Sequence, residues 1–147
     1  MEQKRLNEIT QTLLIDTSQI AITEDTQKTL YILQQYISFF RYAIRKSNGE
    51  ETLLDEVKAL SNYIEYCKIH YGNQFTVSLI FNYQKCNSVL IQKMKVIDAF
   101  DQALNVALSE YFSGFDIGIH FDLDMDTPHF SVSYSKDDFE KRLSYDF

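Results

Sequence analysis

Apolar positions along the chain recur first at helical and then at strand spacing. Residues 3–21 carry Leu6, Ile9, Leu13, Leu14, Ile20 and Ala21, a spacing of threes and fours that predicts an amphipathic helix. Thr10, Thr12, Thr17 and Ser18 weaken its helix propensity. Thr23-Glu24-Asp25-Thr26 is a polar break with capping residues. Residues 26–46 are predicted as a stronger helix, with Leu30, Leu33, Ile37, Phe40 and Ile44 on one side and Tyr36, Phe39 and Tyr42 broadening that face. Arg41, Arg45 and Lys46 suit its C-terminal end, where the backbone dipole is negative. Ser47-Asn48-Gly49 stops it, because Gly49 takes the left-handed conformation readily. Thr52, with Asp55 three residues on, is a variant of the capping box. It opens a third helix over 52–71, striped by Leu53, Val57, Leu60, Ile64, Cys67 and Tyr71.

The second half mixes both periods. Residues 74–82 read as a strand, 85–88 as a loop and 91–112 as a helix that buries Met94, Ile97, Ala99, Phe100, Ala103, Leu104, Ala107 and Leu108. Residues 115–123 alternate apolar and polar, 124–128 form a turn, and 129–135 alternate again, which predicts a hairpin. A short polar helix is expected over 137–143. The fold class is therefore α+β: a helical hairpin over residues 1–50, then a two-layer lobe over 51–147. In that lobe helices 52–71 and 91–112 are expected to share one face of a small sheet, leaving the other face partly open. The apolar face of helix 26–46 is wider than one partner helix buries. A dimeric four-helix bundle would cover it, and so would the C-terminal half of the same chain.

Composition narrows the function classes. At 147 residues the chain is long enough for one core or two small lobes. Its net charge of −7 and pI near 4.9 argue against non-specific binding to nucleic acid or anionic membranes, which needs a basic face. Ten Tyr and eleven Phe with no Trp supply a large core or an association surface. Cys67 and Cys86 make neither a CxxC pair nor a metal cluster, and Cys67 lies on an apolar stripe, so a buried thiol is expected. No signal-type or membrane-spanning apolar run is present, and a cytoplasmic location is expected.

Residues 39–75, FFRYAIRKSNGEETLLDEVKALSNYIEYCKIHYGNQF, resemble the segment joining the phosphoacceptor helices to the ATPase lobe in LytS-type sensor histidine kinases. The Arg41-Tyr42 pair, the Thr52 cap and the closing Tyr71-Gly72 fall in the family order, and the likeness covers roughly 40 residues. It implies a dimerisation hairpin followed by the first part of a histidine-kinase ATPase lobe.

The catalytic motifs of that family are expected to be degenerate here. Its phosphoacceptor histidine aligns with Thr12, and no His precedes residue 70. A hydroxyl does not replace an imidazole in making a phosphoramidate without a different activating base. The family's Glu-Asn nucleotide pair aligns with Asp101 and Gln102, one methylene short and one long. Such displacement suits magnesium poorly, and a solvated helix face is expected for both. The adenine-reading Asp of the glycine box aligns with Lys136, a cation that cannot accept the adenine hydrogen bond, and Asp138 stands for the first glycine. The sequence ends at Phe147, before the lid and second glycine-rich loop of the family. His70 is expected at a helix end, His120 facing solvent or a neighbouring layer, and His129 at a turn, none at metal-ligand spacing. Asp122, Asp124 and Asp126 alternate as in a calcium loop but lack its glycine and terminal Glu, so they read as an acidic hairpin edge.

These readings predict a non-catalytic, histidine-kinase-like regulatory module that takes no cofactor or metal. It would be a homodimer that binds a response regulator or a sensor kinase. The resemblance places partner and dimer contacts on the hairpin, at Leu13, Leu14, Leu33, Ile37, Phe39, Phe40 and Tyr42. The competing reading, a histidine phosphotransferase of a phosphorelay, needs an exposed histidine on the hairpin.

Overall fold

The computed structural model describes residues 3–22, 26–46, 48–124 and 127–147. The break at 23–25, Ser47 and Asp126 lie outside the described residues, as do the side chains of Ile20 and Ala21. Helix α1 (Gln3–Ile22) and helix α2 (Thr26–Ile44) precede the short strand β1 (Glu50–Thr52) and helix α3 (Leu53–Tyr71). Strand β2 (Phe75–Ile80), helical turn α4 (Tyr83–Cys86), strand β3 (Leu90–Gln92) and helix α5 (Lys95–Tyr111) follow. Strands β4 (Phe115–Asp122), β5 (His129–Lys136) and β6 (Phe139–Asp146) complete the chain. The architecture is α+β, with helices first and a mixed four-stranded sheet after them.

Thr52 caps α3 through its side chain, accepting from the Asp55 amide at 3.2 Å. Asp55 and Glu56 fill the first turn and Lys68 and His70 the last, matching the helix dipole at both ends. The predicted stripe Leu53, Val57, Leu60, Ile64 and Cys67 is buried, and so are Ala59, Tyr63 and Tyr66 around the helix. This all-round burial marks α3 as the central element. It lies between the hairpin on one side and α5 with the sheet on the other.

The sheet runs in the order β2-β4-β5-β6, with β2 parallel to β4 and the remaining neighbours antiparallel. Its inner face presents Phe115, Ile117, Ile119 and Phe121 from β4 and Phe130, Val132 and Tyr134 from β5. These pack against α5, whose Val96, Ile97, Phe100, Leu104 and Ala107 are each no more than 0% exposed. Both long helices of the lobe lie on that face. The opposite face carries exposed Thr76, Ser78, Ile80, Asp116 and His120. One core cluster runs from Leu6 to Tyr134, so the hairpin and the lobe share their interior across residue 50.

Two predicted helices need correction. Residues 137–143 are not helical: β6 forms there, joined to β5 through Asp137 and Asp138, with Lys136 opposite Phe139. Asp137 takes a φ of 54°, the left-handed geometry that two-residue hairpin turns demand. Phe139, Lys141, Leu143 and Tyr145 then alternate toward the inner side, which is strand period read as a polar helix. The helix expected from residue 91 begins only at Lys95, because Leu90–Gln92 pair with β1 instead. Met94 sits between them at φ 69°.

Candidate functional site

The hairpin is fixed to the lobe by two buried polar clasps. The first is Glu56, 0% exposed on α3. Its Oε1 accepts from the amides of Val96 at 3.0 Å and Ile97 at 3.3 Å, and its Oε2 from Met94 at 2.9 Å. These are first-turn amides of α5, which no carbonyl of their own helix can reach. The Tyr42 hydroxyl, arriving from α2, donates to the same carboxyl. Burial pushes the Glu56 carboxyl above the ordinary glutamate range, and the bonds from Tyr42 and the three amides pull against that shift. One carboxyl thus caps α5 and ties it to α2 and α3. It also holds Met94 in its left-handed conformation, a state that costs of order 1 kcal/mol or more outside glycine.

The second clasp is Asp101 on α5. Arg5 of α1 reaches it in a two-pronged contact, Nη2 to Oδ1 at 2.7 Å and Nε to Oδ2 at 3.0 Å. Tyr63 donates to Oδ1 at 2.5 Å, and Asn105 Nδ2 lies 3.2 Å from Oδ2. Asp101 is 8% exposed, which corrects the expected solvated face: its carboxylate is consumed by structure. Burial raises the Tyr63 phenol well above its usual range, and raises the Cys67 thiol beside it.

The other degenerate positions scatter. Thr12 turns its hydroxyl back to the Glu8 carbonyl of its own helix at 2.9 Å. Gln102 is exposed and borders a shallow depression with Lys93, Lys95 and Tyr145. Lys136 donates to the Ser113 carbonyl at 2.8 Å and lies over the Tyr111 ring. Thr12, Gln102 and Lys136 border three separate depressions. His70 closes α3 with its Nδ1 2.6 Å from Asp16 on α1, and Lys85 reaches Asp124 from α4.

Held by these clasps, α2 has two apolar faces. Ile32, Tyr36, Phe39 and Tyr42 face inward and are buried. Phe39 stacks on Tyr63 with centroids 4.8 Å apart, and Tyr36 meets Tyr66 at 6.2 Å. Half of the broad face is thus covered by α3 of the same chain. Leu13, Phe39 and Tyr42, expected at an intermolecular contact, are buried inside the chain and unavailable to a partner. Leu33 and Phe40 are half-buried. Leu14, Leu30, Ile37 and Ile44 are exposed by 61%, 54%, 44% and 55%.

The outward row Leu30, Leu33, Ile37, Phe40, Ile44 alternates three and four residues apart, the spacing of a helix–helix seam. It spans about 21 Å at 1.5 Å per residue. The chain is 24% charged, yet between Thr26 and Ile44 the only charged side chains are Lys28 and Arg41. Depletion of charge around an exposed apolar row is the compositional mark of an interface core. No protein-family model and no curated protein matches the chain. Among the described residues no helix is long and apolar enough to cross a membrane, and no group of His, Cys, Asp or Glu could hold a metal ion.

Proposed function

We propose that the protein is a non-catalytic interaction module that pairs with a second copy of itself through the outer face of α2. The paired hairpins form a four-helix bundle that docks a two-component signalling partner, a response regulator or a sensor kinase. The observation that carries the pairing is the exposed row Leu30, Ile37 and Ile44 on a helix almost free of charge. A second copy is the occupant that fits, since a row at heptad spacing is complementary to itself about a two-fold axis. The partner class rests on the resemblance of residues 39–75 to the linker of LytS-type kinases, and the ATPase-like ancestry of the lobe rests on it too. Engagement of Asp101 by Arg5 and Tyr63 supports the absence of nucleotide chemistry, because that carboxylate is already saturated with donors.

The reading is tested by titrating the dimer with a phosphorylatable receiver domain and recording binding by calorimetry, with Ile37→Asp as control. Binding to the wild type and its loss in the variant are expected. A receiver domain that binds both proteins equally would remove the hairpin from the account.

A further inference from the structure

The open face of the sheet carries a depression of about 250 Å³ that the interaction reading leaves unused. Strand register builds it. Ser78 of β2, Gly118 of β4, Ser133 of β5 and Arg142 of β6 stand in one row across all four strands. His120 and Ser131 stand together in the next row. These six residues line the depression.

Gly118 is its floor. A Cβ at this position would meet Ser133 Oγ at 2.9 Å and Ser78 Oγ at 3.5 Å, so the missing side chain lets two hydroxyls converge over bare backbone. A glycine inside a strand weakens it, and here the space it opens is lined by donors. Ser131 is the second observation. It is 7% exposed and lines the same depression. A serine hydroxyl donates one hydrogen bond, and an anionic ligand in the depression would accept it. Among the described residues that line the depression there is no carboxylate, and Asp116 on the neighbouring row is engaged by the Thr76 hydroxyl. Glu140, next to it on β6, holds one amine of Arg142 at 3.3 Å, which leaves the remaining guanidinium donors for a ligand.

We infer that this face binds a phosphate group, free or as a phosphate monoester. Three hydroxyls approach from two strands, Ser78 from β2 and Ser131 and Ser133 from β5, and a guanidinium from the rim. A tetrahedral anion accepts donors from several directions at once, where a planar carboxylate accepts them in one plane. Arg142 supplies the charge and the fork geometry that phosphate takes. His120 adds a further ring N–H donor. The depression exceeds a phosphate in volume, which leaves room for the ester.

The test is a titration of the wild-type chain with inorganic phosphate at constant ionic strength, followed by amide and imidazole chemical shifts. Saturable shifts in the millimolar range, confined to Ser78, Gly118, His120, Ser131 and Ser133, are expected. Arg142→Met and Ser131→Ala should each weaken the affinity at least tenfold. Absence of saturable shifts in the wild type would overturn the assignment, and so would undiminished phosphate affinity in both variants.

Discussion

At the scale of the residue, the two clasps determine what the fold tolerates. Truncating Glu56 to Ala strands three amides of α5 and the Tyr42 hydroxyl, each in the interior. At roughly 1–3 kcal/mol for an orphaned buried group, with partial relaxation, the loss should be about 3 kcal/mol or more. Tyr42→Phe removes a single donor and should cost about 1 kcal/mol. Urea denaturation of the two variants checks the ratio, and equal losses would show that Glu56 does not cap α5. Arg5→Met leaves Asp101 buried with neutral partners only. Arg5 is itself partly exposed, at 31% of its side chain, so the expected cost is about 2 kcal/mol rather than the larger figure for a sealed pair. Replacing Asp101 by Leu in the same chain should recover most of it. The thiols give an independent reading of the interior. Cys67 and Cys86 are 1% and 0% exposed, and burial raises both pKa values, which suppresses the reactive thiolate. Neither should react with an aromatic disulfide reagent until the protein is unfolded; rapid labelling of the native protein would contradict the packing around α3.

At the scale of the element, α2 shows what patterning could and could not reveal. Its helix, its end near residue 46 and the breadth of its apolar face were all legible, because each depends on local spacing. Which half of the face turns inward was not, because that depends on Tyr36, Phe39 and Tyr42 finding ring partners on α3. The row Leu30–Ile44, more regular in sequence, is the one left outside. Asp101 carried a readable signal: it falls on the stripe of Ile97, Leu104 and Leu108, and a lone acid on an apolar stripe requires a partner. Its partner Arg5 is 96 residues away, and nothing local announces that distance. Glu56 had no signal beyond its place in a first turn. The C-terminal strand is hard to read because the charged run Glu140, Lys141 and Arg142 interrupts the alternation of Phe139, Leu143 and Tyr145; such charges are how edges resist further pairing. The expectation specific to α2 is a contrast. Ile37→Asp should leave the melting temperature of the fold nearly unchanged at high dilution, since the site is exposed. Phe39→Asp should unfold it, because a charge there is buried without a partner. Circular dichroism melts separate the two, and a destabilised Ile37→Asp monomer would mean that the outer face is covered within the chain.

At the scale of the whole molecule, a shared core fixes the hairpin on the lobe and leaves two unpartnered surfaces, the apolar row on α2 and the polar face of the sheet. The lobe is expected to take no ATP-magnesium. Asp101 is consumed by Arg5, and Asp137 and Asp138 make a tight turn between β5 and β6 that leaves no glycine-rich loop there. A thermal shift of several degrees in millimolar ATP-magnesium would contradict this, because a ligand that binds only the native state stabilises it by mass action. The central claim remains the pairing of the hairpins. Light scattering coupled to gel filtration at micromolar concentration measures it most directly. The account predicts a mass of twice 17.3 kDa for the wild type, falling to the single-chain mass on Ile37→Asp. A wild-type mass of one chain would contradict it.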